Sequence, residues 1–391
     1  MKRLKKATAK AVETKSLAET DFFDFKYCAP SDIYIFNLAT SGRLLDSGIG
    51  PGVTILSGMS KTYKTVAGIN YVKAFLDKFQ EAVCVFYDSE FGGPGYWDMV
   101  GVDMNRVVHI GIRNIEELEF DIAKKLHELQ DGDKVIFFVD SLGMLASKKE
   151  ALDALAENGA ADMTRAKELK SFFRQNTPTM NDYHMPMVAI NNNYATMDKY
   201  NPETMGGGGG ILLAANTVLF FAKFKFKDAN AKENAVGTEL AGHVFRMTVN
   251  KSRFIKEGTK LHFRVLYGQN RPNKYSGLYE LATVTGDIYS PSKGWRAARV
   301  VDEDGRVLPK EKHPKFREND VHTNAEFWEE TMFKKTNFIR NAEARVSLHY
   351  ELKPGELDLS DDNAVRQAEL ENYGELEEVS HDPETGEILE D

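Results

Sequence analysis

The chain has 391 residues, 42% apolar and 28% charged, with a net charge of −9. That is too long for one compact core and ordinary for a globular protein, so two or three domains are expected. No apolar run approaches the roughly 20 residues of a membrane span or resembles a signal peptide. The two cysteines, Cys28 and Cys84, and the nine scattered histidines argue against a disulfide framework or a protein-caged zinc, and for a reducing cytoplasm.

Residues 1–45 read as a separate N-terminal arm, with a basic start (Lys2, Arg3, Lys5, Lys6) and an aromatic cluster of Phe22, Phe23 and Phe25. Residues 46–270 follow as a larger unit. There the apolar runs Val53–Leu56, Val83–Tyr87, Val107–Ile110, Val135–Val139 and Met187–Asn191 alternate with helical periods at Thr65–Lys78, Ile115–Gln130 and Asp162–Arg174. Continuous rather than alternating apolar runs predict strands buried on both faces, hence an α/β fold with a mostly parallel sheet flanked by helices.

Between the first run and the first helix lies Gly58-Met59-Ser60-Lys61-Thr62-Tyr63-Lys64-Thr65. Strand, glycine-led turn and Lys-Thr at a helix start form a phosphate-binding loop. Its backbone N–H groups and the helix dipole suit phosphates. Lys64 would reach the outer phosphates, and Thr65 would complete a Mg2+ shell, which makes ATP and magnesium the expected cofactors. Tyr63 stands where the motif has its second glycine.

The next strand runs out into Asp88-Ser89-Glu90. Glu90 could orient or deprotonate an attacking water, whereas Asp88 or Ser89 could simply cap the following helix. Val135–Ser141 then supplies an apolar strand ending in an acid, and Asp140 would hold magnesium through its water shell. Beyond the glycine run 206–210 come Thr217–Phe226, His243–Lys251 and Lys260–Tyr267, read as antiparallel strands extending the sheet. Residues 271–354 read as a small C-terminal α+β domain, with helices at Tyr279–Thr285 and Asn324–Glu343 and strand-like pieces around Lys293–Ala297.

Residues 355–391 carry fourteen acidic residues against Arg366, a net −13 that leaves residues 1–354 at +4. This tail either keeps the chain soluble or competes with nucleic acid for a basic surface.

A phosphate-binding loop, D-x-E after the next strand, an apolar-Asp-Ser strand and the Ile190-Asn191-Asn192 strand together resemble the core of the RecA recombinases. Asn201-Pro202-Glu203-Thr204 before the glycines and Thr248–Arg253 extend the resemblance. The aromatic at Tyr63, the Ser141–Gly143 and Ala146–Glu150 passages and the acidic C-terminus are most similar to the phage branch, the UvsX recombinases.

That resemblance implies a RecA-like ATPase with Glu90 as the catalytic carboxylate, Lys64 beside it, and Tyr96 stacking on adenine, with Trp97 as its competitor. It implies that Asn192 senses the γ-phosphate and that Lys251 and Arg253 reach a neighbouring protomer's ATP. Two loops, roughly 147–162 and 193–210, would line a DNA channel. Tyr194, Lys199, Tyr200 and the glycines Gly206, Gly207 and Gly208 would meet DNA. Arg165 and Lys167, just after the first loop, are either further phosphate contacts or the solvated face of a helix.

The implied activity is ATP-dependent filament formation on single-stranded DNA and strand exchange with a duplex, in the cytoplasm of an infected host. A single-strand binding protein and a loading mediator would be partners, and the N-terminal arm would dock on the next protomer. A hexameric helicase and a DNA-coating protein that uses ATP only for assembly remain as alternatives.

Overall fold

The computed structural model describes residues 25–130, 132–155, 164–195, 203–227, 240–269 and 271–347. The elements named below are α1 (Tyr34–Ser41), β1 (Gly52–Gly58), α2 (Lys64–Lys78), β2 (Val83–Asp88), α3 (Gly95–Val100), β3 (Val107–Gly111), α4 (Ile115–Glu128), β4 (Val135–Asp140), α5 (Lys148–Leu155), α6 (Thr164–Asp182), β5 (Pro186–Ala195) and β6 (Glu203–Met205). The chain continues through α7 (Gly209–Ala214), β7 (Thr217–Lys227), β8 (Leu240–Ser252), β9 (Lys260–Leu266), α8 (Leu278–Val284), β10 (Ile288–Ser292), β11 (Trp295–Ala298) and β12 (Lys315–Phe316).

The large sheet has nine strands in the order β3-β2-β4-β5-β1-β7-β8-β9, with β6 returning on β5. From β3 to β7 the pairs are parallel. The pairs β7–β8 and β8–β9 are antiparallel. β7 therefore joins the parallel set through β1, and the antiparallel extension begins one strand later than its sequence suggests. Because successive side chains alternate faces, β1 sends Leu56 to one core, and Val53 and Ile55 to the other. Helix α2 lies on the first face, with Val66, Ala67 and Ile69 buried against Phe138 and Ile190. Helices α4 and α6 cover the second through Ile115, Leu118, Ile122, Leu169, Phe172 and Phe173. The carboxyl ends of the parallel strands meet at β1, between β5 and β7, where such sheets hold ligands.

Two expected boundaries change. Residues 29–45 do not stand apart as an arm. Helix α1 is buried in the main core, with Phe36 against Phe263 at 5.1 Å and Tyr71 at 5.5 Å, because an eight-residue helix this apolar must bury its face. Buried Asn37 pins the preceding turn by accepting from Ser31 N and donating to Ser31 O and Leu44 O. Residues 1–24 of the arm, including Phe22 and Phe23, lie outside the described residues, as does the acidic tail.

The helix expected over Asn324–Glu343 is broken at Thr336. That residue turns extended, caps Met332 O through its hydroxyl at 2.6 Å, and bridges Val300. The C-terminal segment is α+β as expected, with a three-stranded β10-β11-β12 sheet. Its core is continuous with the first face of the main sheet through Tyr275, Leu278, Trp328 and Phe338.

Candidate nucleotide site

At the end of β1, Gly58 sits under the carbonyl of Phe221, which a Cβ would approach to 2.5 Å. Only glycine fits the start of the loop. Thr62 tightens the turn by donating to Met59 O at 2.8 Å. Two non-glycine residues hold positive φ here, Lys61 at 58° and Tyr63 at 75°. The second is where the usual motif has glycine, so the backbone keeps the motif's shape although the residue does not. The Tyr63 ring packs 5.0 Å from Phe245 and 5.4 Å from Phe263. This offsets part of the cost of a left-handed residue, roughly 1–2 kcal/mol.

Lys64 opens α2 and is buried, with its ammonium donating to Gly58 O at 2.9 Å and Met59 O at 2.6 Å. Burial pulls its pKa down to about 8, against the opposing fields of Asp140, Glu90 and Glu203. A cation held this dry beside a loop is poised for an anion. Thr65 donates to Asp140 Oδ2 at 2.8 Å, so the two groups expected around magnesium are adjacent. Asp140 is only 6% exposed, and its Oδ1 is buried with no hydrogen-bond partner. Burial and then Glu90 push its pKa up to about 7. An orphaned carboxylate oxygen next to a hydroxyl is the donor set a hydrated Mg2+ takes when phosphates complete the shell. Among the described residues no group of three or more His, Cys, Asp or Glu forms a protein-only cage.

Glu90 reaches the same crevice. Its Oε1 accepts from Ser141 Oγ at 2.7 Å, while Ser89 Oγ bonds both N and O of Ser141. The turn that aims Glu90 is built by Asp88, whose Oδ1 accepts from the backbone N–H of Glu90 and Phe91 and whose Oδ2 lies 3.0 Å from His109 Nε2. Asp88 thus plays the capping part, and Glu90 projects from the turn it caps. Tyr96 is 52% exposed, whereas Trp97 is buried 5.0 Å from Phe86 and 5.7 Å from Phe138. Of the two aromatics only Tyr96 is available to a ligand.

Asn192 pairs with Gly58 across the β1–β5 ladder and lies close to Gly143, where a Cβ would come within 3.0 Å of its amide nitrogen. It therefore sits between the phosphate loop and the turn after Asp140. Lys251 and Arg253 are elsewhere. Lys251 pairs with Val218, which pairs with Ile55, three residues back from Gly58, or about 10 Å along the strand. Lys251 donates to the carbonyls of Leu212 and Leu213 at the end of α7. Arg253 lines a cleft of about 480 Å³ with Lys170 and Arg174. Neither is placed at the phosphate loop.

The expected DNA contacts divide. Arg165 is committed to the protein, donating to Leu142, Gly143 and Leu145 carbonyls, which corrects its reading as a phosphate contact: it clamps the turn after β4. Lys167 faces solvent beside Glu168, 3.9 Å away. Tyr194 is 43% exposed and stacks over Gly206, whose Cβ would meet the ring at 2.6 Å. The glycines do not form one open run of N–H groups. The Gly206 N–H bonds Asn192 O, Gly207 and Gly208 take positive φ, and Gly209 starts α7. Lys199, Tyr200 and residues 156–162 lie outside the described residues.

Sequence reasoning missed Ser89, Ser141, Ser57, Asn193 and Glu203. Ser141 carried a signal in its place directly after the strand-ending Asp140, Glu203 in the Asn201–Thr204 passage, and Asn193 at the start of the 193–210 loop.

Residues 275–342 match the family described as the C-terminal domain of the bacteriophage T4 recombination and repair protein. Over 333 residues the chain is 38% identical to the recombination and repair protein of Enterobacteria phage T4, which covers 84% of this chain and 82% of that protein. A solved structure of the RadB recombinase overlaps 56% of this chain and 90% of its own, at 15% identity and a TM-score of 0.40.

Proposed function

The chain belongs to the UvsX family of phage recombination and repair proteins, and on that premise we propose that it is an ATP-dependent DNA recombinase that assembles on single-stranded DNA and exchanges strands with a homologous duplex. The observation that carries the ATP-dependent part is the Thr65–Asp140–Glu90 constellation at the phosphate loop. It unites a metal-type hydroxyl–carboxylate pair with a separately held carboxylate.

Bound Mg2+-ATP would supply the scissile phosphoanhydride and the cation charge over its oxygens. Thr65 and Asp140 would hold the metal, and Lys64 would exchange its loop carbonyls for phosphate oxygens. Glu90 would take a proton from water on the oxygen that Ser141 does not occupy. Tyr96, from the rim of α3, would cover the base. Because Lys251 and Arg253 lie away from their own loop, they would complete a site only on a second protomer, like an arginine finger.

The test is joint-molecule formation from single-stranded DNA and a homologous duplex with ATP. Strand exchange by the parent and a fall of roughly 10²–10⁴ in hydrolysis for Glu90→Gln, with nucleotide binding kept, are expected. Closed rings without helical filaments on DNA would favour a helicase instead. A Glu90→Gln protein that hydrolyses ATP like the parent would remove Glu90 from the chemistry.

A further inference from the structure

Two buried side chains beside the phosphate loop bind neither phosphate nor metal in the scheme above. Ser57, directly before Gly58, is fully buried and donates through Oγ to Asn193 Oδ1 at 2.6 Å. Asn193, 3% exposed, donates through Nδ2 to Glu203 Oε2 at 2.6 Å. Asn193 belongs to β5 and Glu203 opens β6, so the two flank the foot of the 193–210 loop. Although expected within a DNA loop, Asn193 is in the interior and offers DNA no surface.

The link is diagonal. In the ladder Ser57 pairs with Asn191, two residues before its side-chain partner on the same face. By the two-residue period this face is that of Ile55 and Ala189, which packs on α6, opposite to α2. The chain of hydrogen bonds therefore leaves the phosphate loop by a route separate from Thr65 and Asp140. A second tie runs beside it, from Asn191 Nδ2 to Gly206 O at 2.8 Å.

We propose that Ser57 and Asn193 are positioning residues whose hydrogen bond couples the phosphate loop to Glu203 and the foot of the 193–210 loop, so that ATP and single-stranded DNA tighten each other's binding. The inference rests on the recombinase reading. Coupling of this kind is reciprocal: a factor in DNA affinity caused by nucleotide is the same factor in nucleotide affinity caused by DNA.

The experiment uses the full chain, as parent, Ser57→Ala, Asn193→Ala and the double variant. Single-stranded oligonucleotide affinity is measured with and without a non-hydrolysable ATP analogue, and hydrolysis with and without the oligonucleotide. Each single variant should keep hydrolysis without DNA within about two-fold of the parent, and lose about ten-fold of the coupling factor, which is about 1.4 kcal/mol. The double variant should lose no more than Asn193→Ala, because both changes break one link.

Losses that add would overturn the link. So would a parent-like coupling factor in either single variant, and so would basal and stimulated hydrolysis falling together at constant ratio, the signature of a structural role only. Should Asn193→Ala fold poorly in a melting curve, Ser57→Ala alone decides by the same coupling factor. A parent protein in which ATP leaves DNA affinity unchanged would overturn the recombinase reading and this inference together.

Discussion

Tyr63 occupies a left-handed position that glycine fills without strain, yet its ring is wedged between Phe245 and Phe263. Its hydroxyl is buried without a hydrogen-bond partner, and burial drives its pKa up. Tyr63→Phe should therefore be neutral or stabilising by up to about 1 kcal/mol, since it deletes an unsatisfied group. Tyr63→Gly should still lose roughly 1–3 kcal/mol, because the lost aromatic packing outweighs the relieved φ; urea unfolding measures both.

Asp140 makes a pH-dependent prediction at the same scale. Its folded pKa, about 7, is raised above the unfolded value of 3.8, first by burial. The stability this contributes is fully present below pH 4 and is lost as pH rises through 7. In nucleotide-free protein with chelator, Asp140→Asn should be the more stable form at pH 8, with the gap opening by roughly 2–3 kcal/mol from pH 5 to pH 8. Thermal melts across that range check it, and a constant gap would contradict the assignment.

Among the elements, α2 carries the loop's Lys64 and Thr65 and is fixed by how closely it lies on the sheet. Gly68 marks the contact: a Cβ there would meet the Phe138 ring at 2.5 Å and Ile190 at 3.3 Å. Alanine would improve helix propensity by about 1 kcal/mol. The clash nevertheless predicts a net loss of roughly 1–3 kcal/mol for Gly68→Ala and weaker nucleotide binding as the helix start shifts, read by calorimetry on the same preparation. In β5 the three consecutive asparagines divide by face. Asn192 turns toward the phosphate-loop side, and Asn191 and Asn193 toward the hairpin. A strand ending in polar residues is common; three neighbours with two destinations follow from the pleat alone.

At the level of the whole molecule, the C-terminal segment shares a core with the nine-stranded sheet. Trp328 is fully buried, donates to Val321 O at 2.8 Å, and packs against Tyr275 and Phe338 in that continuous cluster. Trp328→Ala should cost about 3–5 kcal/mol, and scanning calorimetry should show one transition moving down rather than a separate C-terminal one. On the proposed reading, Lys251 and Arg253 act only between protomers. A Glu90→Gln protein mixed with a Lys251→Ala/Arg253→Ala protein should then hydrolyse more ATP on DNA than either alone, because some interfaces in mixed assemblies are intact. Equal or lower activity in the mixture would count against a shared site.

The sequence by itself determined the class of fold and most of the residues that gather at the candidate site. Buried parallel strands show as unbroken apolar runs, and the phosphate loop is a local motif in which Gly58, Lys64 and Thr65 are fixed by spacing. Asp140 and Glu90 were legible for the same reason, as acids at the ends of such runs. Tertiary structure decided what depends on faces and distant pairings: that Tyr96 is exposed and Trp97 is core, that Arg165 clamps a turn, and that residues 29–45 belong to the body. It also decided that Ser57 meets Asn193, 136 residues away. No local pattern encodes which two strands lie side by side or in what register, and it is that register which joins the phosphate loop to the 193–210 loop.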